Sequence, residues 1–391
     1  MSSSGSVVER LLLSLEGAPV TDLADTAYEV LADEVGLKRL WVYLADYGEK
    51  ELVPVRGRLA SPAPHPLPME SSQAGEAYMR RRHVLEERPG GPILWVPLHR
   101  RSECLGVVGF GADAPAEVFA DLAGPVALVL AACIQDSRSC SDTYEIVRGA
   151  RQMELAATMQ WQMLPLGGYS DPEVEVAGRL EPAYDVGGDA FDFAVNDRSI
   201  DLAIFDAMGH GLQSTLLSQL AVGAYRFSRR RRDDLRAVAA EMDQAVAIYG
   251  GGERFVTAHV CRISLGEGVV RWLNIGHPLP VLIRDDVVEP LGPSDPTLPL
   301  GLGGEPTQVH ERQLEPGDVV VLYSDGVVEG RSPDGEPFGL DRFTREKMRA
   351  LAETGELGPA VRHVLQQVTA HVSGPLQDDS TIVALRWKGR S

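Results

Sequence analysis

Residues 200–211 read IDLAIFDAMGHG. The alternating apolar positions up to Phe205 are those of a β-strand, and the strand ends on a carboxylate, Asp206, followed by small residues and glycines. An acid in that place is aimed into a turn where backbone can approach closely. The same arrangement, an acid at the edge of an apolar run, recurs at Asp189 in VGGDAFD (186–192), Asp325 in LYSDGVVEG (322–330) and Asp378 in QDDSTIVAL (377–385). Any one of these alone reads as a turn or helix-cap residue. All of them together argue for a shared site, because clustered carboxylates repel strongly in a low-dielectric interior unless cations sit among them. All-oxygen ligation suits hard ions such as Mg²⁺ or Mn²⁺. Two such ions about 3.5–4 Å apart bind phosphate oxygens and acidify a bridging water, so the chemistry expected is hydrolysis of a phosphate ester.

Around these acids the C-terminal half alternates apolar runs with glycine turns. Strands are expected over 174–180, 190–195, 200–206, 254–263, 269–275, 281–284, 308–314, 319–324 and 381–386, with helices over 212–229, 235–249, 341–352 and 359–372. Consecutive strands with one helical pair after the third and another near the end imply an α+β domain of antiparallel sheets flanked by helices. The regular βαβ rhythm of nucleotide-binding folds is missing, and so is a GxxxxGK[ST] loop, which argues against kinases and NTPases.

AYDVGGDAFD, FDAMGHG, NIGHPLPVLI, LYSDGVVEG with FGLDRF, and DDSTIVALR follow one another in an order that resembles the SpoIIE/RsbU branch of the PPM (PP2C-like) phosphatases, over residues 155–387. The resemblance implies a β-sandwich flanked by helices that holds two Mn²⁺ or Mg²⁺ ions. It implies that Asp206 bridges both metals, that the backbone carbonyl of Ala207 binds one, that Asp189 reaches metal directly or through water, and that Asp325 and Asp378 are the C-terminal ligands. Asp379 is the neighbour that competes with Asp378 for that place, and Asp192 looks like a fold-supporting residue. The implied reaction is in-line attack of a metal-activated water on phosphoserine or phosphothreonine, with a phosphorylated anti-sigma-factor antagonist or similar regulator as substrate. Ala190, Ala207 and Ser324 depart from the common aromatic, valine and threonine of the pattern, and none of these changes removes a carboxylate. His210 and His277 lie in glycine turns, where a turn-organising hydrogen bond is expected of each. The spacing Ala207-Met208-Gly209 before His210 does not support carrying over a general-acid role.

The N-terminal half reads as a smaller α/β domain. A helix is expected over 22–36, a strand over 39–45, a proline-rich loop over 61–68, two strands over 93–98 and 104–111 joined by a polar turn, and a helix over 118–134. WVPLHRRSECLGVVGFG resembles the late hairpin of GAF sensor domains, over roughly 21–135, which implies a ligand-binding, dimerising or protein-contacting role. Between the halves, Ile146, Ala150, Met153, Ala157, Gln160 and Leu164 fall at helical 4-3-4-3-4 spacing and predict one helix over 141–164 that packs along a single seam. That seam fits either one domain's core or a dimerising, signal-transmitting helix. The domains expected are therefore 1–140 (GAF-like), 141–165 (linker helix) and 166–391 (phosphatase-like).

The 391 residues exceed one ordinary core, and 44% hydrophobic with 24% charged residues is globular composition. A formal charge of -19 disfavours nucleic acid and anionic lipid as partners. The cysteines Cys104, Cys133, Cys140 and Cys261 show no zinc-ligand spacing and suit a reducing, cytoplasmic setting. No signal peptide or membrane-spanning run is read. The arginines at 229–232 suit either an acidic partner or a solvated helix end whose cations complement the dipole. A non-catalytic scaffold with the same fold, signalling by partner contact, is the rival reading, and a hydrolase of small phosphate metabolites is a third.

Overall fold

A computed structural model describes residues 4–57, 65–101, 103–111, 117–149, 153–165, 167–182, 187–285, 287–292, 297–304, 308–374, 376 and 378–389. The chain divides into two compact units, Met1–Gln152 and Met153–Ser391.

The N-terminal unit is built on a six-stranded antiparallel sheet. Its strand order is Leu67–Pro68, Glu51–Pro54, Arg39–Ala45, Glu103–Gly111, Ile93–Arg100, Val84–Glu86. The helices Ser4–Glu16, Leu23–Val35 and Glu117–Ser137 share one core with the sheet through Leu11, Leu31, Leu44, Val108 and Leu130. The other face carries Gln73–Arg80, whose Tyr78 packs in a second cluster with Trp95. The apolar patch around Leu11 and Leu15, not expected to form an element, belongs to the first of these helices. Residues 61–64 of the proline-rich loop lie outside the described residues. Leu67–Pro68, expected as loop, pairs as a two-residue edge strand with Glu51 and Leu52, an edge being where a residue without an N–H is tolerated.

The C-terminal unit begins with α1 (Leu155–Met163), β1 (Gly168–Ser170), β2 (Val174–Glu181), β3 (Asp189–Val195) and β4 (Ser199–Ala207). The helical pair α2 (Leu212–Arg230) and α3 (Leu235–Gly250) follows, then β5 (Val256–Ser264), β6 (Val269–Ile275), β7 (Val281–Arg284), β8 (Val287–Pro290), β9 (His310–Gln313) and β10 (Val319–Tyr323). A short helix α4 (Asp325–Glu329), the pair α5 (Leu340–Thr354) and α6 (Leu357–Val372), and β11 (Ser380–Trp387) complete it. One sheet has the order β9-β6-β5-β4-β3 and the other β8-β7-β10-β11-β2-β1, every pairing antiparallel.

Strand alternation sorts the side chains into layers. Along β4, Ile200, Leu202 and Ile204 face the other sheet, where they meet Val383 and Leu385 of β11. Ala203, Phe205 and Ala207 point the other way, onto Leu217 and Tyr225 of α2 and Val238 and Met242 of α3. On β11, Ile382 and Ala384 face Val361 and Val364 of α6. Both central strands are thus apolar on both faces because each is covered twice, giving helix, sheet, sheet and helix layers. At Gly178 of β2 a Cβ would lie 2.2 Å from the Phe191 ring of β3, so the two sheets meet there over a residue without a side chain.

The expected strands and flanking helix pairs are present with ends shifted by a few residues. The short elements β1, β8 and α4 carry too little periodicity to have been expected. The single helix expected over 141–164 is not formed. Thr143–Arg148 is one helix, ended at Gly149, and α1 starts anew after an extended Glu154. Each piece is held by a different core: Tyr144 is buried in the N-terminal cluster with its hydroxyl on the Val20 carbonyl, whereas Ala157 and Gln160 are buried in the C-terminal unit. Ile146 of the expected seam is 73% exposed.

Removing the Leu202 side chain, wholly buried between the sheets, should leave a cavity and destabilise the C-terminal unit by about 2–5 kcal/mol, read as a lower urea midpoint for Leu202→Ala.

Candidate metal centre

β3 and β4 are hydrogen-bonded neighbours whose register sets Asp189 directly opposite Asp206. Asp189 is the first residue of β3 and is buried, and Asp206 is the penultimate residue of β4. Ala207 follows, its N–H donating to the Gly188 carbonyl at 3.2 Å. Across the sandwich, β10 runs out at Tyr323 and Asp325 opens α4, while Asp378 and Asp379 lead into β11. Gly326 permits that junction, because a Cβ there would lie 2.1 Å from the Asp379 carbonyl oxygen.

The acids expected from sequence are brought together. Asp206 is pushed up to about 7, first by burial and then by the charges of Asp325, Asp378 and Asp379. Asp189 is driven well above the usual carboxylate range by burial, then by Asp206 and Asp379. Asp378 sits at the exposed rim, raised by burial and by Asp325 and Glu329, and lowered by the Asp379 N–H and by His210. His210 is exposed, and no hydrogen bond from it to another described residue is seen.

Asp379, treated from sequence as a rival to Asp378, holds a different position. It is 1% exposed, and its Oδ2 accepts from the backbone N–H of Asp189 at 3.1 Å and from Gln160 Nε2 at 2.9 Å. The same Gln160 amide also donates to the Asp189 carbonyl at 2.8 Å, so a residue of α1 ties the start of β3 to the start of β11. Gln160 was legible only as one polar position in an apolar stripe. Asp192 is a supporting residue, as its place suggested: it takes a forked contact from Arg226 (2.9 and 3.0 Å) and another from Arg229 (2.8 Å).

His277 is the clamp between the sheets. Its N–H donor at Nε2 reaches the Tyr323 carbonyl (3.2 Å), and its Nδ1 accepts from the hydroxyl of Thr257, the residue paired with Asp206 on β5 (2.8 Å). Its backbone N–H donates to Asn274 Oδ1 at 2.8 Å. Burial pushes His277 down to about 3, so the ring is neutral and supplies one donor and one acceptor without adding charge.

The chemistry of the donor set suits hard divalent ions. The donors are carboxylates, and Asp189 Oδ2 and Asp379 Oδ1 are buried without a hydrogen-bond partner among the described residues. Among the described residues no group of three or more Asp, Glu, His or Cys side chains is arranged to hold a metal ion as it stands.

Residues 196–388 match the family model for stage II sporulation protein E (SpoIIE). Asp206, Asp325 and Asp378 fall inside that span and Asp189 just before it. The chain is 23% identical over 254 residues to phosphoserine phosphatase RsbU of Bacillus subtilis, covering 63% of this chain and 74% of RsbU. It is 23% identical over 273 residues to protein IcfG of Synechocystis, covering 62% of this chain but only 42% of IcfG. Among solved structures, that of the RsbU and RsbW domains of Rv1364c from Mycobacterium tuberculosis aligns with a TM-score of 0.50 at 21% identity, over 56% of this chain and 63% of that one. Residues 196–388 are therefore similar to the SpoIIE model, and the C-terminal unit shares the mixed α/β fold of the Rv1364c structure.

The raised carboxylates fix the sign of a pH effect. A folded-state pKa moved from 3.8 to about 7 favours the fold at low pH and penalises it as pH rises through 7. Metal-free Asp206→Asn should therefore melt higher than the metal-free parent protein at pH 8, with the difference shrinking toward pH 4, in thermal scans with EDTA.

Proposed function

We propose that the protein is a divalent-metal-dependent serine/threonine phosphatase acting on a phosphorylated regulatory protein. The observation that carries this reading is the pairing of buried Asp189 with half-buried Asp206 at strand ends, within electrostatic reach of Asp325, Asp378 and Asp379. The match to the SpoIIE model and the likeness to a named phosphoserine phosphatase support it.

In this reading Asp206, the Ala207 carbonyl, Asp325 and Asp378 hold two Mn²⁺ or Mg²⁺ ions, and Asp189 contributes directly or through water. Bound divalent ions would neutralise the acids, draw in the phosphate oxygens and acidify a water for in-line attack. The chain's own work is to hold the carboxylates in place. Asp379 fixes the Asp189 backbone from behind, Gln160 fixes Asp379, and His277 locks β5, the strand paired with that of Asp206, to the end of β10 that leads to Asp325. No side-chain nucleophile is needed.

The N-terminal unit is proposed to be a GAF-like regulatory domain, supported by its central antiparallel sheet with helices on both faces. An activating protein or a small molecule is the signal it would take. The substrate class proposed is an anti-sigma-factor antagonist or comparable phosphoprotein, in the cytoplasm. No helix among the described residues is long and apolar enough to cross a membrane.

The test is Mn²⁺-dependent release of p-nitrophenol from its phosphate ester by the full chain. Asp206→Asn should lower kcat by at least about 100-fold with unchanged far-UV circular dichroism. A folded parent protein that binds no Mn²⁺ by calorimetry and shows no turnover would instead favour the non-catalytic scaffold.

A further inference from the structure

At the far end of the β3–β4 hairpin from the acids lies a basin of about 610 Å³ lined by Arg198, Arg229, Arg230, Arg232, Arg262 and Ser199, with Asn196, Asp197 and Asp201. Five guanidinium groups meet two carboxylates there, in a chain whose formal charge is -19. They come from separate elements: Arg198 from the hairpin turn, Arg229 and Arg230 from the end of α2, Arg232 from the turn after it, and Arg262 from β5.

Two of the arginines form a fixed wall. Arg262 donates to Asp201 at 2.7 Å and to the Asp233 carbonyl at 2.9 Å, and Arg229 donates to the buried Asp192 at 2.8 Å. Those bonds consume Asp201 and Asp192. The remaining cations are unsatisfied. Arg230 and Arg232 are exposed, with no carboxylate at ion-pair distance among the described residues, and Arg198 has only a loose contact with the exposed Asp197 at 3.8 Å. Complementing the α2 dipole explains cations on the last turn of that helix, but it does not explain Arg198 and Arg262 converging on the same hollow from the hairpin turn and from β5.

We infer that this basin is a binding site for a small, multiply charged phosphate ligand. Guanidinium forks match phosphate oxygens in pairs, and a hollow of this size holds a small molecule. The lining has no aromatic or aliphatic side chain, so nothing in it would hold a nucleobase or an acyl chain. The site is separate from the candidate metal centre. Asp206 and Ile200 lie six residues apart along β4, about 20 Å at a strand's rise per residue. A ligand here is not the phosphate undergoing hydrolysis, and the inference stands whether or not the chain is a phosphatase.

Inorganic pyrophosphate titrated into the full chain in metal-free, EDTA-containing buffer should give one saturable site by calorimetry. The doubly substituted Arg230→Gln/Arg232→Gln protein, altered only at exposed side chains, should bind about 100-fold more weakly, each lost charge-assisted contact being worth about a factor of ten. Asp206→Asn should bind as the parent does. The inference fails if the parent shows no saturable binding, if the double variant binds unchanged, if Asp206→Asn abolishes binding, or if citrate binds as tightly as pyrophosphate.

Discussion

Two carboxylates held face to face across a hydrogen-bonded strand pair, Asp189 and Asp206, are the constraint around which the C-terminal unit is arranged. Backbone pairing prevents them from moving apart, and burial denies them water, so their charges must be answered locally. Without cations the only remedy is protonation, which is why both are shifted upward. A fold that merely needed stability would place apolar residues at such positions. Retaining acids there sacrifices metal-free stability, and that cost is recovered only when a cation binds.

Holding such a cluster requires that the two sheets, which contribute different acids, cannot slide. Apolar packing between Leu202, Ile204, Val383 and Leu385 is non-directional and does not set register along the strands. Directional bonds do. His277 joins the Thr257 hydroxyl of one sheet to the Tyr323 carbonyl of the other, and Asp379 joins the start of β11 to the start of β3. Both contacts lie within a residue or two of the acids they position. Gln160 adds a third member from outside the sheets, so the placement of α1 and the geometry of Asp189 and Asp379 are linked through one amide.

Much of this was readable from sequence because it depends on short periodicities. Strands that alternate between two cores, as β4 and β11 do, leave long apolar runs, and an acid at the end of such a run is conspicuous. Which of Asp378 and Asp379 turns inward was not readable, since the answer depends on where β11 begins its pairing with β2, and one residue of register inverts it. Gln160 was hidden for a similar reason: its partners are Asp189 and Asp379, far away in sequence. The helix over 141–164 was over-read. Helical spacing persisted across Gly149 and Glu154, but the two pieces have separate cores to satisfy, and tertiary packing overrides a continuous stripe.

Charge placement follows from the same hairpin. β3 and β4 carry acids at one end, and the turn that joins them, with the end of α2, gathers arginines at the other. Asp192 lies between, three residues from Asp189, and its forked contacts with Arg226 and Arg229 anchor α2 to β3. This one buried carboxylate is neutralised by protein alone, which separates it physically from its neighbours in the acid cluster. An acid that has its arginines is a structural device, whereas acids left facing one another need something the chain does not supply. By the same criterion, arginines left without acids mark the opposite end of the hairpin as the place where the protein meets an anion.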